Sequence, residues 1–262
     1  MNRHQINGLA YYTFPSLDPF PELVHAVTTR HGGVSTGPYA TLNLAKGLGD
    51  DPAAVEENVH RVCAAIGASR EQLIRPRQRH TANVRRVGLA ERGQILDGYD
   101  VLITDRPGAL LLLLYADCAP VLIYDPRHRA LALAHSGWRG TVLGAARAAV
   151  DALGREFGSR PGELVAAIGP SIGPCCYEVG AEVVDAVRAT FTRPDSLLPV
   201  HPGGRSHFDL WAANYCWLAA AGVRQVEVAG LCTACHTDEF YSHRAEGGRT
   251  GHFGALMGLR DW

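Results

Sequence analysis

Apolar and polar positions along the chain switch between two periods. Residues 23–29 alternate as a strand and run into the loop Arg30-His31-Gly32-Gly33-Val34-Ser35, where paired glycines permit positive φ. Asp51-Pro52 then opens a helix, with Asp51 as N-cap and Pro52 at the first position. Val55, Val59, Val62, Cys63 and Ile66 recur at helical spacing until Gly67 ends it. The middle third breaks into short apolar runs that predict strands over 84–87, 101–104, 110–115, 121–124 and 131–134, with Asp125-Pro126 as a turn. After Gly137-Trp138-Arg139-Gly140 the spacing predicts a helix over 141–157. Its small residues Gly144, Ala145, Ala148 and Ala149 allow close packing on a sheet. The last third predicts a strand over 164–168, a Gly/Pro loop over 169–174 and a helix over 181–191. A second helix runs from its N-cap Asp209 to Gly222, and strands over 226–229 and 253–257 finish the chain. Several strands are consecutive and helices interrupt them irregularly. The expected fold class is α+β, with mixed β-sheets flanked by helices in a single compact domain over 1–262.

Composition narrows the class without naming a function. Of 262 residues, 47% are hydrophobic and 19% charged, which supports a sizeable core and excludes a disordered or fibrous chain. The formal charge of −1, with basic residues scattered, predicts no nucleic-acid or anionic-membrane partner. The longest apolar run, 109–116, is too short to cross a bilayer and stops at Asp117. Residues 1–20 are interrupted by His4, Asn7, Gly8, Pro15, Asp18 and Pro19 and do not read as a secretory signal. Seven cysteines, an odd number, then predict reduced thiols in a cytoplasmic protein. No heptad or exposed amphipathic stretch points to a second copy, so a monomer is expected.

Chemistry-bearing residues gather where strands end. Ala116-Asp117-Cys118-Ala119-Pro120 and Ala134-His135-Ser136-Gly137-Trp138 each follow a strongly apolar strand, and His80 precedes another. Two imidazoles and a thiolate make a Cys/His₂ set that leaves one tetrahedral position of a zinc ion open, the arrangement of catalytic zinc. Such an ion acidifies bound water near neutral pH. Without further information the residues favour a buried thiol and two core histidines, because buried cysteine is common. They also fit a metal-free hydrolase with Cys118 as nucleophile and His135 as base on an amide or peptidoglycan precursor.

Cys232-Thr233-Ala234-Cys235-His236 matches the haem-attachment pattern, but a chain without an export signal has no route to that chemistry. A zinc-binding C-x-x-C needs a second pair at matching spacing, and the sequence shows none. Cys232 and Cys235 are therefore expected to be structural thiols. Cys175-Cys176 is expected to shape a pocket wall, with Glu178 near substrate. Trp211 and Trp217, on the last helix, are expected in the core.

Several motifs in register resemble the YfiH family, also described as the laccase-domain or purine nucleoside phosphorylase family. They are Thr28-Thr29-Arg30-His31-Gly32-Gly33-Val34-Ser35, Leu42-Asn43-Leu44, Ala116-Asp117-Cys118-Ala119-Pro120-Val121 and His135-Ser136-Gly137-Trp138-Arg139-Gly140, together with the segment from Gly169 to Glu178. The resemblance implies a zinc on His80, Cys118 and His135, one per chain. It also implies phosphorolysis of adenosine, inosine and methylthioadenosine, with deamination of adenosine. An older description of the family as copper-dependent polyphenol oxidases makes Cu²⁺ an alternative ion. The partners implied are a purine nucleoside and phosphate. Cys118, His135 and Asp117 are the expected catalytic residues, and Arg30, Asn43, Arg139 and Arg244 the expected substrate contacts. The family's Gln-Val-His-Gly and Ser-Tyr-Arg patterns stand here as Gln78-Arg79-His80-Thr81 and Ser242-His243-Arg244.

Overall fold

The unbroken apolar strands of the middle third are explained by burial on both faces. The computed structural model describes residues 1–201 and 203–261. In chain order it begins with β1 (Asn2–Ile6), β2 (Leu9–Thr13), β3 (Leu23–Thr28), α1 (Pro52–Ala65), β4 (Leu73–Arg77), β5 (Val84–Arg86), β6 (Ile95–Asp97), β7 (Val101–Thr104) and β8 (Leu110–Tyr115). There follow β9 (Ala119–Asp125), β10 (Ala130–Ser136), α2 (Trp138–Val142), α3 (Ala145–Phe157), β11 (Val165–Ile168), α4 (Ala181–Thr190), α5 (Leu210–Ala220), β12 (Gln225–Val228) and β13 (Phe253–Leu259).

One sheet has the order β1-β2-β3-β13-β8-β4-β6 and the other β12-β11-β9-β10-β7-β5. Both are mixed: β4 runs parallel to β8 and β6, β5 to β7, and β11 to β12, while the remaining ladders are antiparallel. Side chains alternate along each strand, so each sheet has two apolar faces. Leu111 and Leu113 of β8 meet Leu122, Tyr124, Leu131 and Leu133 between the sheets. On the far side of the first sheet, Leu110 and Leu112 pack with Val59, Val62 and Cys63 of α1. On the far side of the second, Val121 and Ile123 pack with Ala146, Ala149 and Leu153 of α3. The result is an α+β stack of helix, sheet, sheet and helices, and each fully buried Leu, Ile or Val contributes roughly 1.5–3 kcal/mol.

Both expected N-caps form. The Asp51 carboxylate accepts from Ala53 N and the Asp209 carboxylate from Ala212 N. The helix expected over 141–157 is instead two. Gly144 takes a φ of +78°, which breaks the helical path between α2 and α3, and α2 starts at Trp138, directly after the His135 motif. Strands β1, β2, β4 and β6 were outside the pattern read from the sequence. β4 was hidden by its polar arginines and by Pro76, which sits opposite Leu96. Trp211 and Trp217 pack partly buried against the apolar clusters beside α5, as expected for core residues.

Candidate metal centre and substrate cavity

The β9–β10 ladder aligns Ser136 with Ala119 and His135 with Pro120. Cys118, immediately before β9, therefore lies beside His135 at the end of β10. On the other flank of β10, the ladder with β7 aligns Ala134 with Val101, and His135 N donates to Asp100 O at 2.8 Å. His80 comes from the loop between β4 and β5, and β5 runs parallel to β7. Three chain segments thus converge, and donor atoms of His80, Cys118 and His135 all lie within 4.8 Å of one another. His135 is buried, Cys118 half-buried and His80 exposed, so the cluster is closed on one side and open on the other.

Asp100, fully buried, organises this cluster. Its Oδ1 accepts from His80 N at 3.0 Å and faces His135 Nδ1 at 2.9 Å. Its Oδ2 accepts from Arg79 N at 3.0 Å, Thr81 N at 2.8 Å and Thr81 Oγ1 at 2.9 Å. Burial alone would raise the Asp100 pKa, but the His135 ring and these backbone donors hold it well below the usual carboxylate range. An ionised carboxylate only accepts, so Nδ1 of His135 carries a proton, and Nε2 is the ring nitrogen that a metal would take in place of its proton. The same bonds hold His80 in a left-handed conformation, φ 59°, that a non-glycine residue adopts only when its surroundings enforce it.

Burial opposes a Cys118 thiolate, yet the His135 and His80 rings beside it bring its pKa down to about 6. Burial likewise opposes a charged His135, but the Cys118 thiolate and Asp100 push its pKa up to about 9. Gly137 makes room for the sulfur. A Cβ there would meet Cys118 Sγ at 2.6 Å and His80 Cδ2 at 3.3 Å.

The cluster forms part of the wall of a cavity of about 720 Å³, within the range of small-molecule sites. Leu112, Leu114, Ile172 and Leu210, with Trp138 and Tyr177, supply apolar and aromatic lining. Lys46, Arg75, Arg77, Arg139, Arg244 and Arg249 also line it, against a single acidic residue, Asp117. Asp117, at φ 91°, is occupied on both oxygens: Oδ1 accepts from Thr233 Oγ1 at 2.6 Å and Oδ2 from Arg244 N at 2.7 Å. It knits two distant loops to the strand end that carries Cys118.

Arg139 stacks over Trp138 and reaches the exposed Glu182 at 3.5 Å. Arg244 lies over Tyr177 and donates to Glu178 O at 2.8 Å. Arg30 and Asn43 lie outside the cavity lining. The Arg30 guanidinium pairs with Glu246 at 3.0 Å and donates to Thr237 O and Ala40 O. Asn43 is buried; its amide donates to Asp50, and its Oδ1 accepts from His252 N at 2.9 Å. His252 does line the cavity, and its Nδ1 is buried without a hydrogen-bond partner among the described residues. Burial, with the nearby His135, His243 and His80 rings, lowers its pKa to about 4. Asp100, Gly137, Tyr177 and His252 were not singled out from the sequence. Only Gly137 carried a signal, as a glycine between a candidate ligand and a helix start.

A family model described as multi-copper polyphenol oxidoreductase laccase matches residues 24–260. A purine nucleoside phosphorylase from Bacteroides thetaiotaomicron is 39% identical over 248 residues, covering 91% of this chain and 92% of that protein. An adenosine deaminase from an unknown prokaryotic organism is 33% identical over 241 residues, covering 88% of this chain and 92% of its own length. The crystal structure of YlmD from Geobacillus stearothermophilus shares the fold, with a TM-score of 0.92 at 36% identity and 98% of each chain covered.

Proposed function

The chain belongs to the multi-copper polyphenol oxidoreductase laccase family, and we propose that it is a zinc-dependent purine nucleoside enzyme that cleaves adenosine, inosine and S-methyl-5′-thioadenosine with phosphate and deaminates adenosine. The observation that carries this reading is the convergence of His80, Cys118 and His135 on the wall of a cavity lined by arginines. The donor chemistry fits zinc, with two imidazoles, one thiolate already favoured over the thiol, and an open side toward the cavity. Bound there, zinc would supply a Lewis acid and lower the pKa of water.

Two histidines and a cysteine are also the equatorial set of an electron-transfer copper, which adds a weak axial methionine or glutamine. The methionines are Met1 and Met257; Met257 is buried in the core between the sheets, and neither lines the cavity. Gln78 does line it, but its amide is clipped to both backbone groups of Leu114, at 2.8 and 2.9 Å. Zinc is favoured on that ground.

The chain's own groups divide the remaining work. Arg139 and Arg244 bind phosphate through their guanidinium forks. The apolar and aromatic lining takes the purine. His252, neutral at working pH, lines the cavity and positions the nucleoside through its ring. Asp100 keeps the proton on His135 Nδ1, and Asp117 holds the Arg244 loop against the site.

A second reading has one specific support. Cys118, His135 and Asp100 also form a thiolate–imidazole–carboxylate series of the kind used by cysteine hydrolases. Purified protein with inosine separates the two. The proposed enzyme releases hypoxanthine only when phosphate is present and loses this activity in His80→Ala. Amide cleavage that persists after chelation and in His80→Ala would give the site to the hydrolase.

A further inference from the structure

Four of the seven cysteines form a second cluster, on the loops that follow β11 and β12. Sγ atoms of Cys175, Cys176, Cys232 and Cys235 all lie within 4.8 Å of one another. Cys235 Sγ is 3.4 Å from that of Cys176 and 3.6 Å from that of Cys175. As the sequence shows, no second C-x-x-C at matching spacing accompanies Cys232-Thr233-Ala234-Cys235. The partner pair exists, but as adjacent residues far away in sequence rather than as a second C-x-x-C.

The backbone builds the meeting of the two pairs. Ser171 and Cys232 form a parallel bridge, with Thr233 N donating to Ser171 O at 3.1 Å and Ser171 N to Leu231 O at 3.3 Å. Gly173 N donates to Cys232 Sγ at 3.2 Å. Gly173 itself has no room for a side chain, since a Cβ would meet the Trp211 ring at 2.5 Å and Cys232 Cβ at 3.2 Å. The C-x-x-C segment turns tightly, Cys235 N and His236 N both donating to Cys232 O at 3.2 and 3.1 Å. An N–H donated to a ligating sulfur and a tight turn between paired cysteines are what hold thiolates toward one ion.

We propose that Cys175, Cys176, Cys232 and Cys235 bind a second zinc ion in a closed, structural site that fastens the 171–178 loop to the 231–236 loop beside the substrate cavity. Zinc–sulfur bonds of about 2.3 Å in a tetrahedron place the sulfurs about 3.8 Å apart, close to the separations seen. Four thiolates select a soft ion, and they leave no open position for catalysis. The spacing suits one ion; a multi-iron cluster holds its cysteines further apart. The site matters to the cavity because Ile172 and Tyr177 of the first loop line it. Thr233 of the second loop donates to Asp117, next to Cys118.

The test compares wild-type protein with Cys118→Ser, both purified without chelator. Wild type is expected to hold two zinc ions per chain, and Cys118→Ser to keep one with an all-sulfur coordination shell by zinc X-ray absorption. Denaturing mass spectrometry without reductant is expected to find all four thiols reduced. Cys118→Ser protein with no zinc, while wild type holds one, would overturn this inference and leave the catalytic-site reading standing. One zinc in both proteins, with four sulfur ligands in each, would support this inference and remove the other. If Cys118→Ser does not fold, wild-type absorption decides. Two sites average 2.5 sulfurs per zinc, from five ligating cysteines, whereas the catalytic site alone gives one. A disulfide between Cys235 and Cys175 or Cys176 in freshly purified protein would also overturn the proposal.

Discussion

Replacing Asp100 with asparagine preserves shape and removes one acceptor oxygen, which makes it a sharp probe of how the cluster is held. Five donors converge on this carboxylate, two on Oδ1 and three on Oδ2. If the new amide nitrogen takes the Oδ1 position, it faces His80 N–H and His135 Nδ1–H. His135 can then relieve the clash only by moving its proton to Nε2, which removes it as a ligand. If the nitrogen takes the Oδ2 position, the Thr81 hydroxyl can turn to accept, but the Arg79 and Thr81 amides lose their acceptor. Each buried donor left unsatisfied costs about 1–3 kcal/mol, and one or two are lost in either orientation. The expected destabilisation is about 2–4 kcal/mol, measured by urea unfolding of the metal-free protein. Zinc affinity of the His80–Cys118–His135 site, measured against a competing chelator, is expected to fall about 10–100-fold. Asp97→Asn is the control. Its carboxylate is exposed and pairs with Arg79 on the surface, so the change should stay within about 0.5 kcal/mol. An Asp100→Asn protein of wild-type stability and zinc affinity would refute the role given to this carboxylate.

Gly137→Ala puts a methyl 2.6 Å from Cys118 Sγ. It should cost about 1–3 kcal/mol by overpacking and displace the ligand, so zinc retention at the His80–Cys118–His135 site should drop together with unfolding stability. Arg139→Ala removes a guanidinium that stacks over Trp138 and reaches the exposed Glu182 at 3.5 Å. KM for phosphate should rise about tenfold or more with unfolding changed by no more than about 1 kcal/mol, and an unaltered KM would exclude Arg139 from phosphate binding. His25 is buried with Nε2 accepting from Phe14 N at 2.8 Å, and burial lowers its pKa to about 4 against the nearby Asp18 carboxylate. The unfolded chain then takes up a proton near pH 6.5 that the folded chain refuses until about pH 4. This contribution is complete above pH 6.5 and declines as pH falls toward 4, by up to about 3 kcal/mol. Urea midpoints at pH 7.5 and pH 5 in wild type and His25→Gln will show whether the variant is the less acid-sensitive protein.

What the sequence disclosed followed local physics. Asp51 and Asp209 announced helix starts because a short acidic side chain can satisfy a first-turn amide, and both do so. The β8, β9 and β10 strands were visible as apolar runs because each is buried on both faces. Asn7-Gly8 carries an equally local turn signal. Both residues have positive φ, 50° and 84°, and join β1 to β2 as a two-residue hairpin loop. The break at Gly144 was hidden because a glycine among alanines at helical spacing looks like a packing residue. Asp100 was hidden for a different reason. Its role depends on sheet order, which sets β7 beside β10, and no local spacing encodes that pairing. The cysteine cluster was obscured by the same non-local cause, since the bridge between Ser171 and Cys232 joins loops from opposite ends of the last third. Motif resemblance, by contrast, could bring His80, Cys118 and His135 together on paper before any fold was known.

The most direct measurement is anomalous diffraction from crystals of protein purified without chelator, collected on both sides of the zinc absorption edge. A peak that vanishes below the edge is expected between the two imidazoles and the Cys118 sulfur, about 2.0–2.3 Å from each donor atom. Zinc-replete crystals with no such peak at that position, whatever they show at the four-cysteine cluster, would contradict the account.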